Sequence, residues 1–342
     1  MNKLIVFNLL IVMSLMSFAQ DMHYSQYYAN PLYLNPAFTG AIAHQRVAVN
    51  HRLQWPELPK AFANYSFSYD QNVPALNSGF GLLANVDRAG SASLQSASIA
   101  FNYSYTVEVQ GAWVVKPALT FGYVSRSIDY TKLVFGDQID FGVDGAPSQD
   151  PSIGQIDSNN FMDIGAGLLA YTKKAWFGVS GYHLNTPNHS IISGNTYLPM
   201  KWTVHAGLRF QMGNPAFKNV KKVSVSPSFI YKRQGDFDQL DVGASFHYSP
   251  VLFGLYYRGL PWEKNDANQL NHDAVVLLFG VKFDQFQFGY SFDSNISRLS
   301  TSTGGAHELS LVYHFQWPNN PQRVERSKRF LPCPAFIDGL YN

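Results

Sequence analysis

Cysteine is nearly absent: Cys333 is the only one in 342 residues, so an intrachain disulfide is excluded. Charge is scarce as well. Asp, Glu, Lys and Arg make up 14% of the chain, against roughly 25% in an average soluble domain. The 25 basic residues nearly balance the 23 acidic ones, and no basic run stands out, which argues against a nucleic-acid partner. Beyond residue 20 no apolar run approaches the roughly 18 residues of a membrane-spanning helix. Spaced catalytic motifs are missing too. His307 and Glu308 begin a zinc-protease pattern whose second histidine does not follow. Gly178 to Gly181 lacks the spacing of a nucleophile elbow. The acidic stretch carrying Asp129, Asp137, Asp140, Asp144, Asp150 and Asp157 does not fit the EF-hand calcium loop and reads as a solvated surface loop, with calcium-assisted contact to a surface partner as the alternative. The expectation is a protein that is not an enzyme and holds no metal or cofactor.

Aromatic residues, by contrast, are plentiful, at 15% of the chain. That much ring surface demands burial and rules out a disordered chain. The first residues read as an export signal. Lys3 supplies positive charge, Leu4 to Phe18 is mostly apolar, and Ser17 and Ala19 offer the small residues of a cleavage site. Residues 1–19 are therefore expected to be a signal peptide.

The exported part alternates. From Gln95 to Val107 the apolar set Ala97, Ile99, Phe101, Tyr103, Tyr105 and Val107 is interleaved mainly with Ser96, Ser98, Asn102 and Ser104. From Lys201 to Gln211, Trp202, Val204, Ala206, Leu208 and Phe210 alternate with polar residues and glycine. A period of two places one set on each face of a sheet. Such segments predict about fourteen strands, near 43–55, 61–71, 79–88, 94–109, 112–126, 160–172, 175–185, 200–212, 220–233, 238–248, 250–259, 272–283, 285–293 and 305–316. Most are long enough for a tilted strand to cross a hydrocarbon layer, about 9–11 residues.

The connections choose between a soluble sandwich and a membrane barrel. Long ones follow odd-numbered strands, as at 127–159 and 186–199, and short ones follow even-numbered strands, as at 110–111 and 173–174. Unequal rims of this kind belong to outer-membrane barrels. An even strand number sends both termini to the short-turn, periplasmic side. The fold class expected is all-β: a transmembrane antiparallel β-barrel of about 14 strands over residues 42–316. A plug-like N-terminal segment at 20–41 precedes it, and a short periplasmic tail at 317–342 follows. Inward-facing ionisable residues are expected at Arg46, Arg52, Lys116, Asp163, Lys201, Arg209, Lys222, Asp241, Arg258, Lys282 and Glu308. They read as a network of lumen salt bridges; an excess of basic groups keeps anion selectivity as the alternative.

A resemblance sharpens this. The opening Asp21, His23, Tyr24, Ser25, Gln26 and Tyr27, followed by the stretch from Pro31 to Gly40, resembles the PorP/SprF family of type IX secretion. Further matches follow in order: Asn64 to Asp70, Phe161 to Gly167, Phe177 with Gly178, His183 to Asn185 with Pro187, Gly289 to Asp293, and His307 to Leu311. Arg329 to Phe336 is similar to SprF-like members. The resemblance spans essentially the whole mature chain. It implies a protein of the cell outer membrane, part of the gliding and type IX export machinery. The partners it implies are a large secreted adhesin with a type B C-terminal domain, other components of that machinery, and an OmpA-like peptidoglycan-binding protein in the periplasm.

Partner contacts are expected in two places. Asn35, Pro36, Ala37 and Gly40 form a turning segment before the first strand, read either as a cap on the barrel or as a contact. Arg329, Phe330, Cys333 and Phe336 lie in a tail whose prolines and charge exclude another spanning strand. The alternative function is a channel for small or hydrophobic solutes, FadL-like.

Overall fold

Residues that alternate along the sequence form a wall that closes on itself. The computed structural model describes residues 21–315 except 44, 59–60, 91–93, 110–112, 130–132, 135, 140–147, 149–157, 192–193, 213–222, 265–269 and 297–302. The expected export signal and tail, with Arg329, Phe330, Cys333 and Phe336, lie outside the described residues, as do Lys222, Asp140, Asp144, Asp150 and Asp157.

The strands in chain order are β1 (Gln45–Gln54), β2 (Phe62–Val73), β3 (Ser78–Ala89), β4 (Leu94–Tyr105), β5 (Val107–Val109), β6 (Trp113–Ser127), β7 (Asn159–Tyr171) and β8 (Ala175–Tyr182). Then come β9 (Lys201–Leu208), β10 (Phe210–Met212), β11 (Val223–Gln234), β12 (Phe237–Tyr248), β13 (Val251–Lys264), β14 (Leu270–Phe283), β15 (Phe286–Asn295) and β16 (Ala306–Phe315). β5 continues β4 against β6, and β10 continues β9 against β11. The wall therefore has fourteen staves. β16 pairs antiparallel with β1, from Gln45 opposite Phe315 to Gln54 opposite Ala306, and this seam closes the barrel. Closure satisfies the backbone of both end staves, as hydrocarbon requires.

The two faces are the reverse of a soluble protein's. On β2, Ser66, Ser68 and Asp70 are buried, whereas Tyr65 and Phe67 are exposed. On β4, Asn102 and Ser104 are buried and Ile99, Phe101 and Tyr105 are exposed. Leu119, Phe121 and Tyr123 on β6 and Phe253 and Leu255 on β13 also face outward. Large apolar side chains outside and small polar ones inside are what a lipid-embedded barrel demands. A water-exposed protein with so much apolar surface would aggregate.

Expected and observed strands agree within a few residues, and the differences have local causes. β8 stops at Tyr182 rather than 185 because His183 turns left-handed (φ 57°), and Thr186 follows suit (φ 39°). β9 breaks at Arg209, whose amide donates to Lys174 O in the neighbouring turn (2.6 Å).

One expectation about the termini needs correction. Gln45 and Phe315 do share the short-turn rim. Asp21 does not. It lies beside Lys201, which opens β9, and Gln234, which closes β11, both at the long-loop rim. The counting of strands placed the start of the wall correctly but could not follow the chain before it.

Candidate functional site: a charged lumen and the segment it holds

The stretch from Asp21 to Gly40 runs through the lumen from one rim to the other. Its local shape follows from its prolines. Pro31 opens a four-residue helix, Pro31–Leu34, and Pro36 a 3-10 turn, Pro36–Phe38, each at a position where the missing N–H costs nothing. Asn35 lies between them, and its Oδ1 accepts from the Ala37 amide (2.9 Å), an N-cap bond. Tyr, Leu, Ala and Phe side chains of this stretch meet wall residues in one buried cluster that includes Leu32, Leu34, Ala37, Phe38, Leu83, Val114 and Leu169.

At the short-turn rim a clasp fixes the end of the segment. Gly40 has φ +61°, and its amide donates to Asp70 Oδ2 (2.8 Å). A Cβ there would lie 2.8 Å from Gln71 O, so glycine is required for both reasons. The other oxygen of Asp70 takes the Nε of Arg46 at 2.8 Å.

In mid-lumen, Asn35 is fully buried. Its amide nitrogen donates to Leu168 O and Val179 O (both 3.2 Å) and to His205 Nε2 (3.1 Å). Phe38 stacks on the His205 ring, with centroids 5.2 Å apart. Ser180 donates to Leu34 O, Tyr182 to Leu32 O and Ser104 to Thr39 O, all within 2.9 Å. Four wall side chains on three staves, β4, β8 and β9, thus grip the backbone or Asn35. Asn35, Pro36, Ala37 and Gly40, the expected contact residues, are brought together here, all buried inside the barrel.

Nearer the long loops is the strongest group of charges. Arg52 Nη2 and Arg258 Nη1 both reach Asp293 Oδ2 at 2.7 Å. Arg258 Nε also binds Asp241 Oδ1 (2.8 Å), and Arg52 Nη1 lies 3.5 Å from Glu308 Oε2. Ser25 sits at the centre. Its hydroxyl donates to Asp293 (2.7 Å) and accepts from Arg52 and Arg258 (2.9 Å each). Glu308 accepts the backbone amides of Ser25 (2.7 Å) and Gln26 (3.2 Å). The three carboxylates offset two guanidiniums and the nearby Lys232, which is 3.8 Å from Asp241. His23 Nε2 lies 3.2 Å from both guanidiniums. Guanidinium nitrogens only donate, so His23 Nε2 is the acceptor for both.

At the long-loop rim, Asp21 Oδ2 meets His183 Nε2 (2.8 Å) and Lys201 Nζ (3.2 Å), and Asp163 takes the other ring nitrogen of His183 (2.9 Å). Burial alone would lower the His183 pKa, but Asp21 and the Asp163 hydrogen bond overturn it and lift it to about 9. Burial opposes ionisation of Asp21, and His183 and Lys201 outweigh it, lowering its pKa. The signs set a window. The His183 contribution is whole below about pH 6.5 and is lost as pH rises through about 9. The Asp21 contribution is whole above its ordinary 3.8 and fades as pH falls. The urea midpoint in lipid vesicles should therefore drop between pH 6.5 and 9, and His183→Gln should flatten that drop.

The expected excess of inward basic groups is narrowed by these contacts. Asp70 and Asp293 face the lumen, and both are fully buried ion-pair partners. The sequence reading used them only as matches to a family pattern. Their parity with Ser66, Ser68 and Ser291 was the signal that could have found them. His205 was missed because a lone histidine on a strand has no distinguishing neighbour. The half-motif His307 and Glu308 separates as strand geometry requires: Glu308 points into the lumen, and His307 lies outside against Tyr290 and Phe292.

The comparisons agree with this architecture. The family described as type IX secretion system membrane protein PorP/SprF matches residues 16–313. The chain belongs to that family. As a PorP/SprF protein with a lipid-facing barrel it resides in the outer membrane. No curated protein matches the chain. Among solved structures, the toluene transporter TodX of P. putida is 10% identical, with 83% of this chain and 93% of that one covered and a TM-score of 0.44. Omp33 of Acinetobacter baumannii is 6% identical, covering 81% and 100%, with a TM-score of 0.42. A likeness of that degree concerns the barrel and not what a barrel carries.

Proposed function

We propose that this PorP/SprF protein is a non-enzymatic support of type IX secretion that acts in the export and surface attachment of a large adhesin with a type B C-terminal domain. The observation that carries this reading is the lumen. Residues 21–40 run through it from rim to rim, held by buried charges and hydrogen bonds of the wall. A wall devoted to holding its own segment suits an anchoring platform better than a conduit. Within this reading, Asn35, Pro36, Ala37 and Gly40 keep the segment seated, and partners bind at the rims. Arg329, Phe330, Cys333 and Phe336 form the periplasmic contact, with other components of the secretion machinery and the OmpA-like peptidoglycan-binding protein as its partners. Aromatic and Arg anchors are the residue types that most often dominate binding energy.

The channel alternative has the same observation against it. A hydrophobic solute would have to pass buried Arg52, Arg258, Asp293 and Glu308, whose desolvated charges offer it nothing.

The test uses cells lacking this protein, complemented by the full chain or by a chain ending at Trp317. The full chain is expected to restore surface adhesin detected by antibody on intact cells. The shortened chain is expected to reach the membrane yet leave the adhesin reduced. Normal surface adhesin without the protein would end the platform reading.

A further inference from the structure

Beside the held segment, a cavity of about 150 Å³ remains between it and staves β3, β4 and β6, near the long-loop rim. That is the size of an engineered cavity that accepts one benzene ring when its walls are apolar. Here polar groups share the walls with apolar ones such as Leu83, Val124, Phe161 and Leu198. Asp87 pairs in register with Ser96, and Ser96 with Arg126, so the three side chains form one row across three staves. Asp87 and Arg126 are thus two strand spacings apart, roughly 10 Å. They make no ion pair with each other, and among the described residues the Arg126 guanidinium has a single hydrogen bond, to His189 O (3.2 Å). The next row pairs Asn85 with Ser98. Asn85 lines the cavity, is 5% exposed, and its Oδ1 has no hydrogen-bond partner among the described residues.

We propose that this cavity binds one six-membered sugar ring, presented from the outer face of the membrane. The chemistry is specific. Asp87 Oδ1 accepts from the Asn64 side-chain amide, which leaves Oδ2 for a hydroxyl donor, and the guanidinium facing it donates to hydroxyl acceptors. The Ser96 hydroxyl lies between them, with that of Ser98 in the next row, and both can do either. A sugar carries neighbouring hydroxyls that each donate and accept, and C–H faces that suit the apolar part of the wall, Leu83, Val124 and Phe161. The charge balance selects neutrality. Asp87 and Arg126 cancel, and at the cavity edge Asp21 and Asp163 are matched by Lys201 and His183. Neither a phosphate nor a peptide terminus finds an excess of opposite charge there. The inference does not depend on the secretion role.

Gly122 provides a clean probe. It lines the cavity, and a Cβ there would make only ordinary contacts, 3.5 Å to Ala100 Cβ and 3.6 Å to Asp163 Cβ. Gly122→Leu should therefore fill the space without disturbing the wall. The full-length protein in nanodiscs is titrated with methyl glycosides of glucose, galactose, mannose and rhamnose, read by saturation-transfer NMR. Oligosaccharides ending in the same sugars, and the tripeptide Gly-Gly-Gly, are run beside them. At least one glycoside should bind, and Gly122→Leu should abolish the signal. Asp87→Asn and Arg126→Gln should each weaken it about tenfold or more, since each removes hydrogen bonds to a charged group. Equal binding of the free glycoside and the longer chain identifies a monosaccharide site. Tighter binding of the chain identifies a glycan end. Either result supports the proposal. No glycoside signal, a signal that survives Gly122→Leu, or a signal from the tripeptide alone overturns it.

Discussion

Asp293→Ala should destabilise the protein by about 3–5 kcal/mol, the usual result of stripping one partner from a buried ion pair. One oxygen of Asp293 serves Arg52, Arg258 and the Ser25 hydroxyl, all at 2.7 Å. Removing it leaves two desolvated guanidiniums facing each other across the seam between β1 and the staves beyond β16. Asp293→Asn keeps the shape and a hydrogen-bond acceptor and should cost less. A control lies on the rim. Asp238 sits 3.6 Å from Arg233, whose side chain is more than half exposed, and pairs of that kind contribute about 0–1 kcal/mol. Urea unfolding in lipid vesicles checks all three. Equal midpoints for the Asp293→Ala and Asp238→Ala variants would mean that the charge cluster does not hold the fold.

Gly167→Val should open the lumen. A Cβ at Gly167 would sit 2.1 Å from Asn35 Oδ1 and 3.0 Å from Pro36 Cδ and Cγ. All three obstructing atoms belong to the held segment, none to the wall. Valine favours the extended backbone of β7, so the stave can remain while the segment must leave. Planar-bilayer recordings are expected to show closed wild-type protein and pore-like steps for the variant, with residues 21–40 newly open to protease. Gly178 gives the contrast. There the obstruction is the His205 ring at 2.4 Å, part of the wall itself. Gly178→Val should therefore impair assembly rather than release the segment.

The barrel was legible because its physics is local. Alternation at Ala97 to Val107 and Trp202 to Phe210 placed staves β4, β5, β9 and β10, and rim lengths placed the loops. The inward parity of Arg52, Arg258 and Glu308 was equally readable. What could not be read was anything requiring distance in sequence. Ser25 meets Glu308 across 283 positions, and Asp21 meets Gln234 across 213. Neither contact leaves a periodic trace. Asn35 looked like a turn residue available to a partner. Its three acceptors, Leu168 O, Val179 O and His205 Nε2, come from staves with no spacing relation to it. The lone histidines His23 and His205 carry no motif, and only the fold gives them neighbours.

The central claim is that the segment before β1 crosses the lumen and brings residue 21 to the long-loop rim. It is tested most directly by membrane-impermeant maleimide labelling of intact cells in a Cys333→Ser background. Met22→Cys lies beside the rim clasp of Asp21, His183 and Lys201. Gln285→Cys lies in the short turn between β14 and β15. The account predicts that the cysteine at 22 is labelled on intact cells and the one at 285 only after the outer membrane is permeabilised. Labelling of both only after permeabilisation would contradict it.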